Sequence, residues 1–388
     1  MKKKIAILGS TGSIGKSLLQ IINGDKKNYE IILLTGNRNY LDLYKQAKRY
    51  NVKNLIVTNI DSYIALKKKL NNNKINIYNN YNNFNQIFKK KIDYVMSSIS
   101  GIDGLEPTLK IIKFTKKIAI ANKESIICAW NLLHDEISKY KTQFIPVDSE
   151  HFSLWYALKN NSISNVEKIY LTASGGPLLK LTKLNSKNIK LSQALKHPTW
   201  NMGKKISIDS CTMMNKVFEV IEAKHLFNIP YSRISILTHP DSYIHAIIKF
   251  KDGLIKIIAH DTTMKIPIFN TINTNENVTI KTKSLNINKL NHLALKKTNY
   301  DIFPLVKILK NLPDQSSLFE TVIITVNDFL VNQFLKKRIK YNQINSLLLK
   351  FIKNKEFNKY KKVKPKKIED IIFVKNKVSL KIISYLNR

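Results

Sequence analysis

The sequence predicts an α/β protein, on three observations. Short apolar strands alternate with amphipathic helices from Lys4 to Asp148, a glycine-rich turn joins the first strand to the first helix, and a purely helical period runs on from Phe303. Alternation of this kind implies parallel strands, because each helix carries the chain back along the sheet before the next strand starts.

Taken in order, Lys4–Leu8 is an apolar strand, and Ile14–Ile22 places Ile14, Leu18, Ile21 and Ile22 on one helical face. Glu30–Leu34 is a second strand. Leu41–Tyr50 and Ile60–Leu70 read as helices around the strand Asn54–Val57. Asn71–Asn85 is low in complexity and is expected to be a surface excursion. Asp93–Met96 and Ile118–Ala121 are strands, with the helix Leu105–Phe114 between them. From Phe144 the pattern changes: Phe144–Val147 runs into Asp148-Ser149-Glu150, and Lys168–Thr172 into Ala173-Ser174-Gly175-Gly176-Pro177. Arg233–Leu237, Tyr243–Phe250 and Leu254–Ala259 are neighbouring strands, the last two joined by a tight turn at Lys251-Asp252-Gly253. Thr274–Asn288 has no period and reads as a linker; Leu318–Leu335, Ile344–Ile352 and the segment from Ile368 are helical. The expected layout is a Rossmann-like N-terminal domain over residues 1–148 and an α+β catalytic domain with a lid loop over 149–273. A linker over 274–299 and a C-terminal helical domain over 300–388 complete it.

Bulk properties narrow the function. The chain of 388 residues exceeds one ordinary core, and a hydrophobic content of 44% suits a globular protein. Cys128 and Cys211 form no disulfide framework, which fits a reducing compartment. The apolar run after Lys2-Lys3-Lys4 stops at Leu8 in a glycine turn, so it reads as a strand and not as a secretory segment. No unbroken apolar run approaches the ~20 residues of a membrane helix, so a cytoplasmic protein without a membrane partner is expected. Its 65 Lys+Arg against 27 Asp+Glu give +38. The lysines are dispersed among Ile and Asn through every segment, which points to a solvated surface and not to a specific nucleic-acid partner.

Gly9-Ser10-Thr11-Gly12-Ser13-Ile14-Gly15 lies between the first strand and helix. Glycines there let backbone approach a pyrophosphate, and the helix N-terminus supplies N–H donors. Past the second strand, Thr35-Gly36-Asn37-Arg38-Asn39 offers no acid for ribose hydroxyls and one Arg suited to a 2′-phosphate. NADPH is therefore favoured over NADH. Asp148 and Glu150 follow a strand, where two carboxylates in irregular backbone can converge on a hard cation; a helix cap with a first-turn acid is the plainer alternative. In Asp209–Glu219, read as a helix starting near Ser210, Asn215, Lys216 and Glu219 share a face that can join a phosphate to a metal. Lys196–Lys204 combines His197, Trp200 and Gly203, the ingredients of a closing lid. His239, His245 and His260 have no metal-ligand spacing and are expected to be packed or hydrogen-bonded.

Ile7–Gly15, Ala121-Asn122-Lys123-Glu124-Ser125, Pro146–His151, Ser174–Pro177, His197–Gly203 and Asp209–Lys216 together closely resemble the 1-deoxy-D-xylulose 5-phosphate reductoisomerase family, in that family's order. The resemblance implies reduction and rearrangement of that sugar phosphate to 2-C-methyl-D-erythritol 4-phosphate, a step of isoprenoid precursor synthesis. It implies NADPH contacts at Thr11, Gly12, Ser13, Ile14, Arg38, Asn39, Asn122, Glu124 and Gly203. It implies Mg²⁺ or Mn²⁺ ligation by Asp148, Glu150 and Glu219, with Lys123 as a further catalytic group. Substrate contacts would be Lys123, Ser149, Glu150, Ser174, His197, Ser210, Asn215, Lys216 and Glu219, and the assembly a homodimer. Asn37, Cys211 and Lys265 depart from the Gly, Ala and Arg usual in the family.

Overall fold

The computed structural model describes residues 1–70, 75–179, 189–200, 202–274 and 278–387. Two compact units result, one from Met1–Ser125, Leu132–Asp148 and Met264–Ile280, the other from Ile126–Asn131, Ser149–Thr263 and Lys281–Arg388.

The first unit is built on seven strands: β1 (Lys3–Leu8), β2 (Tyr29–Gly36), β3 (Asn54–Val57), β4 (Asn76–Tyr78), β5 (Tyr94–Ser97), β6 (Lys117–Ile120) and β7 (Gln143–Pro146). Their order is β4-β3-β2-β1-β5-β6-β7, with every neighbouring pair parallel. The parallel sheet of a Rossmann-like domain, as read from the sequence, is therefore present. Ile5, Ala6, Ile7 and Leu8 are fully buried, as a central strand covered on both faces requires. The chain lays down β1 to β4 on one side and returns to β5 on the other, so the topological switch falls between β1 and β5. Ligands of such sheets bind outside the strand ends at that point.

Three expectations change here. Asn71–Asn85 is not merely an excursion: 71–74 lie outside the described residues, but Asn76–Tyr78 pairs with β3 as the edge strand. Phe84 is buried against Tyr81, Phe88 and Phe114, a cluster masked in the sequence by its asparagines. The end of the expected catalytic domain also packs differently. Ile268 and Ile272 join the first unit's core, and Tyr29 and Tyr94 hydrogen-bond Asn273 and Thr271. Residues 275–277 of the expected linker lie outside the described residues; further on, Ile287–Asn291 is helical and Lys296–Lys297 pairs with a strand of the second unit.

In the second unit, β8 (Val166–Ala173), β9 (Ile234–Thr238), β10 (Ile244–Phe250), β11 (Ile255–Ala259) and β12 (Lys296–Lys297) form a sheet in the order β11-β10-β8-β9-β12. β8 and β9 are parallel and the other pairs antiparallel. Gly253, at φ +90°, makes the tight turn into β11. The helix Ser149–Ala157 packs on β10 and β11. The helix Leu318–Leu335 begins with a capping box, Ser317 and Glu320, and packs against Tyr341–Ile352, Ile368–Leu386 and Lys204–Cys211. Among the described residues it alone is long and apolar enough to cross a membrane, and 72% of it is buried in the protein.

Candidate active site

In the first unit, β1 ends at a backbone cradle. Gly9 takes φ +82°, its N–H donates to Thr35 Oγ1 at 2.9 Å, and the Ser10 N–H donates to the Thr35 carbonyl at 2.9 Å. Gly15 is required by packing: a Cβ there would lie 2.5 Å from Ser10 Cα and 2.6 Å from the Gly9 carbonyl oxygen. Gly12 caps the helix Ser13–Gly24 with no side-chain hydrogen bond, so the helix N-terminus is open to an anion. Gly12 and Ser13 are exposed, Thr11 and Ile14 half-buried. Arg38 is exposed just past β2, and Asn39 caps the helix Tyr40–Tyr50 by accepting from the Asp42 N–H.

Asn122, expected at the cofactor, is buried and occupied as a clamp. Its Oδ1 accepts from the Ser125 N–H at 2.6 Å, and its Nδ2 donates to the Ile99 carbonyl and, at 2.7 Å, to that of Gly101. Gly104 leaves room for that amide, since a Cβ would come within 2.5 Å of it. Lys123 follows at the helix start, and its Nζ lies 3.1 Å from Asp148 Oδ2, with both side chains largely buried. Glu124 is buried beside it in sequence.

In the second unit, Glu150 stands in the first turn of the helix Ser149–Ala157, the plainer alternative to irregular backbone. The Ser149 hydroxyl donates to Glu150 Oε2 at 2.6 Å. Asp209–Glu219 is not one helix. Lys204–Cys211 ends, Met213 takes φ +62°, and Met214–Phe227 starts anew. A bulky residue in the left-handed region is strained, and the corner needs it to turn one helix into the next. The second helix begins with the expected face: Asn215 Nδ2 donates to Glu219 Oε1, and the Lys216 ammonium pairs with Glu219 and, at 2.6 Å, with Glu150 Oε1. Glu150 and Glu219 offer oxygens within 4.8 Å of each other. Burial pulls the Lys216 ammonium toward neutrality, but the Glu150 and Glu219 carboxylates outweigh it and hold its pKa above the usual lysine value.

Ser174 joins His197 to Gly176, and Gly176 packs on the backbone at Ser210. The Gly176 N–H donates to Ser174 Oγ at 3.0 Å, and a Cβ on Gly176 would lie 3.3 Å from the Ser210 carbonyl. His197 Nδ1 accepts from the N–H groups of Thr199 and Trp200, at 3.2 and 2.9 Å. Its proton therefore sits on Nε2, which donates to Ser174 Oγ at 2.9 Å. Burial lowers the His197 pKa to about 4, so the ring is neutral at physiological pH. Asn201 of the expected lid lies outside the described residues; Gly203 is exposed and opens the helix Lys204–Cys211. His245 stacks on His260 at 3.7 Å, and His239 Nδ1 hydrogen-bonds the Ala294 carbonyl at 3.1 Å, so these histidines are packed as expected.

Three supports escaped the sequence reading. His151 Nε2 donates to the Glu219 carbonyl at 2.8 Å while Nδ1 lies 3.4 Å from Glu222. Asn327 reaches Asp209 at 2.8 Å, and the Tyr341 hydroxyl donates to the Cys211 carbonyl at 3.0 Å. Only the His151–Glu222 pair had a local signal, since each residue stands close in sequence to a predicted ligand.

Residues 5–130 match the profile of 1-deoxy-D-xylulose 5-phosphate reductoisomerase, residues 144–227 that of its C-terminal domain, and residues 261–379 that of the DXP reductoisomerase C-terminal domain. A relative of that name from Pelagibacter ubique is 56% identical over 98% of this chain and 99% of its own length. One from Persephonella marina is 37% identical over 96% and 95%. Among solved structures, the Zymomonas mobilis reductoisomerase in complex with NADPH aligns over 100% of this chain and 99% of its own, with TM-score 0.87 and 31% identity. A reductoisomerase holding NADPH, fosmidomycin and magnesium aligns over 99% and 98%, with TM-score 0.92 and 28% identity.

Proposed function

The chain belongs to the 1-deoxy-D-xylulose 5-phosphate reductoisomerase family, and from that premise we propose a division of labour among its residues. It is an NADPH-dependent, divalent-metal enzyme that rearranges and reduces 1-deoxy-D-xylulose 5-phosphate to 2-C-methyl-D-erythritol 4-phosphate in isoprenoid biosynthesis. Asp148, Glu150 and Glu219 hold the cation. The observation that carries this reading is the Lys216 ammonium, around which Glu150 and Glu219 are already kept together. Carboxylate oxygens suit hard Mg²⁺ or Mn²⁺ and not a thiolate-seeking metal.

When bound, the cation supplies Lewis-acid stabilisation of oxygen charge while the carbon–carbon bond shifts, and NADPH supplies the hydride for the rearranged aldehyde. Lys123, charge-balanced by Asp148, stabilises developing negative charge. Ser149 touches the substrate beside Glu150. Ser174, Ser210, Asn215 and Lys216 take the phosphate, with the neutral His197 fixing the Ser174 hydroxyl. Phosphate binding draws His197–Gly203 over the substrate. The pyrophosphate of NADPH fits the cradle at Thr11, Gly12, Ser13 and Ile14, where Gly15 keeps helix and strand close. Arg38 and Asn39 take the adenosine end; Asn122, Glu124 and Gly203 complete the cofactor contacts.

The enzyme is further proposed to be a cytoplasmic homodimer. Two buried, unbridged cysteines support the compartment. The edge strand β11, with Ile255 and Ile257 exposed and Leu254 exposed just before it, supports the dimer, because an apolar edge of this kind calls for a partner. The test of the central reading is to follow cofactor absorbance with deoxyxylulose phosphate, NADPH and Mg²⁺. Oxidation should stop on chelation and resume on readdition of the cation; turnover that survives chelation would leave the three acids without their role.

A further inference from the structure

We propose that Asp209, Asn327 and Tyr341 are positioning residues: the C-terminal helices hold the phosphate-binding corner in shape through two buried polar clamps. This rests on the reading of Ser210, Asn215 and Lys216 as phosphate ligands.

Asp209 immediately precedes Ser210 and is 3% exposed. A carboxylate that deep destabilises the fold unless it is paired. Its Oδ1 accepts from Asn327 Nδ2 at 2.8 Å, across 118 residues of chain, and its Oδ2 lies 3.3 Å from Lys205. Lys205 also reaches Asp328, the residue after Asn327, at 2.9 Å. The helix Lys204–Cys211 is thereby fastened to Leu318–Leu335 from its first turn at Lys205 and from its last at Asp209. The second clamp acts on the backbone. The Cys211 carbonyl sits at a helix end, where carbonyls lose their helical donors, and the Tyr341 hydroxyl donates to it at 3.0 Å. Burial pushes the Cys211 thiol up to about 12, so Cys211 contributes this carbonyl and no nucleophile. Between the clamps and Lys216 lies the strained Met213 at φ +62°, which persists only where its surroundings over-determine it. Thr212 ties the turn together, with its hydroxyl donating to the Ile208 carbonyl at 3.2 Å and accepting from the Met214 N–H at 3.3 Å. Ser210 and Asn215-Lys216 therefore stand on opposite ends of a corner whose geometry is set from Asn327 and Tyr341.

The experiment compares Asn327→Leu, Tyr341→Phe, the swap Asp209→Asn with Asn327→Asp, and Ser210→Ala in the full-length enzyme. KM for the sugar phosphate, inhibition by inorganic phosphate, KM for NADPH and Tm are read for each. Asn327→Leu and Tyr341→Phe should each raise the first KM and weaken phosphate inhibition by about tenfold, leaving KM for NADPH within about twofold, on the scale of one well-placed hydrogen bond to an anion. The swap keeps the hydrogen bond and should recover most of the loss, and it carries the test together with Tyr341→Phe if Asn327→Leu does not fold. Glu320→Gln lies on the same helix away from the corner and should leave both phosphate readouts unchanged, whatever it does to Tm. A fall in Tm with phosphate readouts intact in the clamp variants would overturn the proposal. Unchanged phosphate inhibition in Ser210→Ala would instead overturn the phosphate reading beneath it.

Discussion

The nucleotide cradle of the first unit and the acid–lysine cluster of the second are built from different materials. The cradle is backbone: Gly9 to Gly15 shape it, Thr35 fixes it, and most of its parts lie within one strand, one turn and one helix. The cluster is side chain: Glu150 on one helix meets Lys216 and Glu219 on another, 66 residues away from Lys216 in the chain. A backbone site depends on what is small enough to be absent. A side-chain site depends on buried charges being matched, which distant elements must arrange.

The two sites should therefore break differently. Glu219→Gln strikes the matched charges: the fold should persist while turnover falls on the order of a thousandfold or more, the scale of several kcal/mol of lost Lewis-acid stabilisation. Steady-state rates across a Mg²⁺ titration check this, and near-normal rates with unchanged metal dependence would remove Glu219 from the site. Gly15→Ala strikes the backbone. Its methyl would meet Ser10 Cα at 2.5 Å, so the helix must move off the strand. KM for NADPH should rise roughly ten- to a hundredfold, as overpacking of a tight contact costs about 1–3 kcal/mol. Gly24→Ala, at the far end of the same helix with nothing within 4 Å, should leave NADPH binding alone.

The same contrast explains what was legible in the sequence. The parallel sheet could be read because β1, β2, β3, β5 and β6 are short apolar runs, and the cradle because its glycines recur at every third position of one turn. Asn215, Lys216 and Glu219 could be read because a helical face is local. Their supports could not: nothing near Asp209 announces Asn327, and the left-handed turn at Met213 is a conformation glycine signals and methionine hides. β4 was lost because Asn76–Tyr78 is only three residues long within an asparagine-rich stretch.

A smaller effect is expected at the rim of the cradle. Arg38 is exposed beyond β2, so its charge-assisted contact with a 2′-phosphate is partly screened by water. Arg38→Ala should narrow the preference for NADPH over NADH by about tenfold, with kcat at saturating NADPH nearly unchanged. Paired kinetics with the two cofactors decide it, and equal use of both by the unaltered enzyme would contradict the assignment.

The last effect concerns pH, and it is read in stability and not in turnover. At the far end of the cluster helix Met214–Phe227, the second unit buries a pair that has no part in the chemistry: His225 Nε2 lies 4.0 Å from Glu320 Oε1. Burial pushes the Glu320 carboxyl up to about 7, opposed by its bonds to Ser317 and by Lys224, and burial lowers His225 to about 4. Tyr231 faces the same site, its hydroxyl raised by burial and by Glu320 and Asp314. A carboxyl raised on folding stabilises fully below its unfolded pKa and loses that contribution as pH rises through its folded value, so Glu320 destabilises as pH climbs through 7. A histidine lowered on folding behaves oppositely, so His225 destabilises only as pH falls from about 6.5 toward 4. The pair therefore favours a window between those limits, and its alkaline edge belongs to Glu320. Glu320→Gln should gain stability over the unaltered enzyme as pH is raised from about 5.5 to 8.5, by on the order of 1–2 kcal/mol at the top, less than the full shift because the two groups titrate together. Thermal melts across that range measure it. A constant difference in Tm at every pH would mean that Glu320 is already ionised in the folded protein at low pH, and that its burial is matched by a charge that these contacts do not supply.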